Sequence, residues 1–340
     1  MAFCAPNSAY FTSFSGRTPS NFFLIHRPSS LPSLFPCSRL GLRYKRNFQI
    51  LKASSPTCVA NPKTRDASIE LTYLEGNSWL WSVDELNILV DPILVGNLDF
   101  GMPWLYDASK KVLDNFQLDD LPEVDCLLIT QSLDDHCHVK TLRPLSEKLP
   151  NLPVFATPNA ESILCPLFKN ITYLEPGQSS EFEGKNSTKI NIFATAGPIL
   201  GPPWQRPENG YIITSSSDQK LYYEPHCVYN RSFLQDYRVD IIITPVIKQL
   251  LPSFTLVSGQ EDAVHLAKLL QAKYVVPMKN GDLNSKGILS GIIRSVGTIE
   301  SFKEMLMKEL PRAHLLEPRP GVPVKISMSS SALSGEPCCP

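Results

Sequence analysis

Residues 125–138, DCLLITQSLDDHCH, decide the fold. The first half of this stretch is a short apolar run, the pattern of a strand buried on both faces. Directly after it come Asp134, Asp135, His136, Cys137 and His138, the composition of a metal site at the end of a strand. Two positions depart from that chemistry. Gln131 offers only an amide oxygen, a weak ligand for zinc, and Leu133 offers no lone pair.

Outward from this stretch the chain divides into readable elements. SIELTYLEGNSWLWSV (68–83) reads as a hairpin turning at Glu75-Gly76-Asn77, and LNILVDP as a strand stopped by Asp91-Pro92. Asp91 is read as a side chain that closes this turn. VKTLRPLSEKL has helical spacing, with Pro144 expected to break or kink it. PVFATP is a strand, NAESILCPLF a short helix capped by Asn159, and NITYLEPG a strand and turn. The second half repeats the plan. TKINIFAT, GYIITSS, KLYYEP, VDIIITPV and YVVPM are strands. SGQEDAVHLAKLLQAK is a helix with an apolar stripe from Val264 to Leu270 and Ser258 as its N-cap, and IESFKEMLMKEL is a final helix. Strands first and then alternation, done twice, predict an α/β fold in which two sheets pack together with helices outside, a four-layer αββα sandwich over residues 66–326.

Composition narrows the function classes. The 340 residues are 43% hydrophobic and carry a formal charge of −1. That balance conceals an asymmetry. Residues 1–65 hold nine Lys and Arg and no acid, leaving 23 basic against 33 acidic residues in the remainder. An acid-free, Ser-rich, Arg-bearing N-terminus reads as an organelle transit peptide over residues 1–60, and its early prolines and hydroxyls favour the chloroplast stroma. The acidic body has no basic patch, which argues against a nucleic-acid partner. No apolar run reaches the ~18 residues of a membrane span. The nine cysteines form no CxxC pair and read as free thiols. Residues 327–340, with Cys338 and Cys339, read as a disordered tail.

With these elements in order, the chain resembles the metallo-β-lactamase fold superfamily over residues 68–326, and most nearly its branch of metal-dependent hydrolases that includes the ascorbate-lactonase type. The resemblance rests on ILVDP, on the buried strand before TQSLDDHCH, and on GYIIT…KLYYEPH, VDIIITPV and EDAVHLAKLLQAKYVVPMKNG. It implies a dinuclear site built on His-x-His-x-Asp-His. Laid on this chain, that pattern places Gln131 and Leu133 at the two leading histidines, and Asp135 and His136 at the Asp and last His. A further family His falls near Gly197, the bridging acid on His226, and the final His on Lys279.

The resemblance therefore implies that one metal position is lost, since Gln131, Leu133, Gly197 and His226 cannot replace three imidazoles and an acid. The other position reads Asp135, His136, His226 and Lys279. Two imidazoles and one carboxylate suit a single Zn or Fe ion with an open coordination place. Three arrangements stay open. In one, a metal-free cleft holds Asp135, His136, His226 and Lys279 as a polar network, and the chain is a binding module for a small molecule or protein. In another, a mononuclear site on Asp135, His136 and His226 activates water to hydrolyse a small ester, lactone or phosphoester, with Asp135 and Lys279 as catalytic groups and Lys279 facing the oxyanion. In the third, these residues share no site. The first two require Gln131, Asp135, His136, His226 and Lys279 to converge on one cleft, and the metal-free network requires Lys279 within reach of Asp135. His138 is read as a surface residue or a substitute ligand, Cys137 and Cys227 as buried filler ahead of thiolate ligands, and the loop 197–210, with Trp204 and Arg206, as a wall of the cleft.

Overall fold

A computed structural model describes residues 68–185, 187–201 and 204–327. The transit peptide expected over residues 1–60 lies outside the described residues, as does the tail beyond Ser327 with Cys338 and Cys339.

Two seven-stranded sheets form the frame. The first runs, in spatial order, Val324–Ser327, Ser68–Tyr73, Trp79–Val83, Leu86–Val90, Cys126–Ile129, Pro153–Ala156, Asn170–Tyr173. The second runs His314–Leu315, Tyr274–Met278, Ile241–Pro245, Lys220–Tyr223, Asn209–Thr214, Lys189–Ala196, Ser179–Glu183. Each sheet has an antiparallel half and a parallel half. Leu86–Val90 through Asn170–Tyr173 pair in parallel, as do Lys220–Tyr223 through His314–Leu315.

Side-chain alternation decides what each face covers. Cys126 and Leu128 point between the sheets with Trp79, Trp81, Tyr211, Tyr223 and Ile243. Leu127 and Ile129, on the opposite face of the same strand, pack with Leu142 and Leu145 of the helix Val139–Lys148. On the outer face of the second sheet, Ile242 and Val275 meet Leu266 and Leu270 of the helix Gln260–Leu270 and Phe302 of the helix Ile299–Glu309. The αββα sandwich predicted from the sequence is the observed one. Trp81 is fully buried between the sheets, so Trp81→Ala should cost about 3–5 kcal/mol.

Local readings differ in three places. Pro144 lies inside the helix Val139–Lys148 without ending it. It falls in the second turn, so it removes a single backbone donor while Leu142 and Leu145 stay buried. Asn159 does not cap. Thr157 accepts from the Asn159 backbone nitrogen instead, and the Asn159 amide donates to the carbonyls of Arg206 and Pro207. The helix at 260 is capped by Gly259, not Ser258.

Parallel strands that share a direction deliver their C-terminal ends to one edge, where ligand clefts of open α/β sheets form. Asp91, the stretch 130–136, the turn 224–226 and Lys279-Asn280 each follow such a strand.

Candidate metal centre

The turn after Cys126–Ile129 is tight. The backbone nitrogens of His136 and Cys137 both donate to the Leu133 carbonyl, at 3.0 and 2.7 Å. This turns Asp135 and His136 toward the cleft and leaves Leu133 43% exposed. His226 arrives from the second sheet, in a turn braced by Glu224. One Glu224 oxygen accepts from the backbone nitrogens of His226 and Val228, at 3.2 and 2.6 Å.

Asp135, His136 and His226 meet. Each presents a donor atom, and the three atoms lie within 4.8 Å of one another. The two imidazole rings stand edge to face with centroids 5.1 Å apart. Each ring is held from behind through Nδ1. His136 Nδ1 lies 2.8 Å from Asp91 Oδ2, and the Gln131 amide nitrogen lies 2.8 Å from His226 Nδ1. Asp91 is fixed in turn by the Thr130 backbone nitrogen at 2.9 Å and the Thr130 hydroxyl at 2.5 Å. A carboxylate behind a histidine is the arrangement that orients imidazole toward a metal.

The charges of the cleft are coupled. Burial opposes ionisation of Asp135, yet the adjacent His136 outweighs it and holds the carboxyl at about 2. Burial likewise opposes charging of His136, but Asp135 and Asp91 on either side lift it to about 10. His226 moves the other way, to about 4, through burial and the neighbouring positive ring. Burial raises the Glu224 carboxyl to about 8. In the metal-free state, then, His136 is an imidazolium clasped by two acids, and His226 is neutral.

The donor set fits a cation. Asp135 Oδ1 is buried and has no hydrogen-bond partner among the described residues. An orphaned carboxylate oxygen beside two imidazoles is a costly arrangement that a metal ion would satisfy. The described residues hold one such cluster of three His, Cys, Asp or Glu side chains.

Gln131 thus joins the site through His226, with its amide nitrogen also 3.4 Å from Glu224. Lys279 does not join it. Its ammonium pairs with Glu317 at 3.4 Å, and among the described residues it makes no salt bridge with Asp135. The reason is the register of the strand Tyr274–Met278. The residue turned into the cleft is the next one, Asn280, whose amide donates to Asn77 Oδ1 and the Pro225 carbonyl, at 2.9 and 2.5 Å. The acid does gain a histidine partner, with His136 Nε2 3.2 Å from Asp135 Oδ2.

Other expectations also shift. His138 is fully buried rather than on the surface. It sits at the N-cap of the helix Val139–Lys148, its ring 2.9 Å from the Thr141 hydroxyl. Cys137 and Cys227 are buried free thiols, as read. Near Gly197 a side chain has little room, since a Cβ there would lie 3.0 Å from the Glu208 carbonyl. Trp204 is 85% exposed. Asn77, Glu224 and Asn280 carry no signal in the sequence, and Asp91 has a larger part than closing a turn. The one available signal was Asp91's place at a strand end beside the acid- and histidine-rich stretch.

A family model described as beta-lactamase superfamily domain matches residues 70–279. No curated protein matches the chain in sequence. Among solved structures, it is similar to Igni18, a metallo hydrolase from the archaeon Ignicoccus hospitalis, at 16% identity and a TM-score of 0.54, covering 77% of this chain and 99% of that one. An isothiocyanate hydrolase from Delia radicum gut bacteria gives 16% identity and a TM-score of 0.52, over 76% and 99% of the two chains. CmlA, a diiron β-hydroxylase from Streptomyces venezuelae, gives 16% and 0.53, over 79% of this chain and 55% of that one. Identities this low carry the fold and no further.

Proposed function

The chain belongs to the β-lactamase superfamily, and from that premise we propose that it is a hydrolase-like protein of the plastid whose dinuclear site is reduced to one position, with a single Zn or Fe ion held by Asp135, His136 and His226. The observation that carries this reading is the trio of donor atoms within 4.8 Å of one another, on a carboxylate whose Oδ1 is buried and has no hydrogen-bond partner among the described residues. Three protein ligands leave a coordination place open, the mark of catalytic over structural zinc sites. Held by these three side chains, a divalent ion would supply Lewis acidity for hydrolysis of an ester, lactone or phosphoester of a small molecule. The residues themselves do the holding. Asp91 keeps His136 Nδ1 occupied so that Nε2 faces the cleft, and the Gln131 amide, turned with its oxygen toward His226 Nδ1–H, would leave that ring's Nε2 free to ligate. Lys279 takes no part in this scheme, because its charge is spent on Glu317.

One support is independent of the site. The acid-free N-terminus supports the plastid assignment. Among the described residues no helix is long and apolar enough to cross a membrane.

A second reading rests on a different observation, the clasp of His136 between Asp91 and Asp135. This clasp gives both acids a positive partner without metal, and in that reading the cleft is a metal-free binding module. Metal analysis of protein purified without added chelator separates the two. One ion per chain, lost in His226→Ala, is the expected result. Metal-free protein that takes up neither Zn nor Fe overturns the hydrolase reading.

A further inference from the structure

The cleft is closed on one side by two amides that no ligand set includes. Asn77, 5% exposed, comes from the hairpin of the first sheet. Its amide nitrogen lies 3.1 Å from the Asp135 carbonyl, 3.3 Å from Asp135 Oδ2 and 3.1 Å from His136 Nε2. Its oxygen accepts from Asn280 at 2.9 Å, and the same Asn280 nitrogen donates to the Pro225 carbonyl, one residue before His226.

Chemistry fixes which way both amides face. A backbone carbonyl only accepts, so the Asn280 NH2 must face Pro225, and its second hydrogen then requires an oxygen at Asn77. At the other end the Asp135 carbonyl requires the Asn77 NH2. The orientation thus follows from two backbone carbonyls, one at each end of the relay.

This relay spans the two halves of the proposed ligand set. Asp135 and His136 belong to the first sheet and His226 to the second. The chain from Asp135 through Asn77 and Asn280 to Pro225 sets how far apart they stand. With the Asn77 NH2 3.3 Å from Oδ2, Oδ1 is the Asp135 oxygen left buried and without a partner among the described residues.

The turn that carries Asn77 is held without its side chain. Leu74 nitrogen donates to the Ser78 carbonyl and Ser78 nitrogen to the Glu75 carbonyl. The Glu75 carboxylate accepts from the backbone nitrogens of Lys111, Val112 and Leu113. The Tyr223 hydroxyl donates to the Asn77 carbonyl. Glu75 and Gly76, at φ 67 and 62, are both left-handed, and Gly76 adopts that conformation without a Cβ penalty. An amide in a turn so well held has its consequence at the cleft and not in the fold.

We infer that Asn77 and Asn280 are positioning residues that act as one unit, setting the separation of His226 from the Asp135–His136 pair and thereby the affinity of the site for a divalent cation. The inference rests on the single-ion reading above.

The test is Zn2+ affinity of the full chain, stripped of metal and titrated against a chromophoric chelator, for wild type, Asn77→Ala, Asn280→Ala and the double variant. Each single variant should bind about 10–100-fold more weakly, the usual effect of losing a residue that orients ligands. The double variant should bind no more weakly than the worse single one, because breaking one relay twice costs nothing extra. The metal-free melting temperature reports the fold separately. Unchanged affinity in both single variants, or independent and additive losses, overturns the inference and leaves the single-ion reading intact. A melting temperature that falls while affinity holds assigns the amides a structural role and also overturns it. Wild type that binds neither Zn2+ nor Fe2+ overturns the single-ion reading, and this inference with it. Should Asn77→Ala fail to fold, Asn280→Ala, at a half-buried position, decides the question by the same affinity measurement.

Discussion

Asp91 and His136, 45 residues apart and both fully buried, are joined by a 2.8 Å contact between carboxylate and ring nitrogen. The contact connects the ends of two adjacent parallel strands, and it orients the histidine that the first sheet brings to the cleft. Asp91→Ala would leave the charged ring with one acid instead of two. Breaking a buried pair of this kind costs about 3–5 kcal/mol. Urea unfolding of the variant should show that loss, while Asp91→Asn, which keeps the shape and an acceptor, should lose less.

The clasp also gives the metal-free protein a pH signature. His136 is raised from 6.5 to about 10 in the folded state. Its contribution is therefore fully present below about pH 6.5 and fades as pH climbs through about 10. Asp135 is lowered from 3.8 to about 2. Its contribution is present above about pH 3.8 and fades as pH falls toward 2. Chelator-treated protein should thus draw most from this pair between about pH 4 and 6.5. Denaturation across pH checks this, and His136→Ala should flatten the alkaline decline.

Lys110 should behave in the opposite sense. Its ammonium nitrogen is buried with no hydrogen-bond partner among the described residues, 5.7 Å from the centre of the Phe116 ring. Burial lowers its pKa from 10.5 to about 8, against a smaller opposing pull from Glu75. Between those values the unfolded chain binds a proton that the folded chain does not, so stability should rise with pH there. Lys110→Met should stabilise the protein at pH 7 by about 1–3 kcal/mol, the usual cost of an unmade buried hydrogen bond. It should also abolish the rise.

Lys279→Ala tests the corrected site. The side chain and its partner Glu317 are both substantially exposed, at 36% and 51%. Exposed pairs contribute about 0–1 kcal/mol. Melting temperature should barely move and Zn2+ affinity should stay unchanged. A marked loss of either would return Lys279 to the cleft.

The sequence made the frame legible because period-two and helical patterns report burial directly. Leu127 and Leu128 serve opposite faces of one strand, and Val264 to Leu270 form one helical stripe. The ligand trio was legible because Asp135 and His136 sit in a recognisable motif and KLYYEPH ends in His226. What stayed hidden was set by long-range register. Whether Lys279 or Asn280 turns inward depends on where the strand Tyr274–Met278 ends against its neighbour. Asn77 looked like an ordinary turn residue, since its partners Asp135 and Asn280 are 58 and 203 positions away. Glu224 carried no motif, and its importance comes from being buried beneath the turn that presents His226.

The most direct test of the account is metal content combined with thermal stability. Protein purified without added chelator should carry one Zn or Fe ion per chain, and chelation should lower its melting temperature, because metal bound only to the folded state adds to its stability. His226→Ala should carry no metal and be indifferent to chelator. Wild-type protein that carries no metal, takes none up, and melts at the same temperature with and without chelator would contradict the account and leave the cleft as a metal-free network around His136.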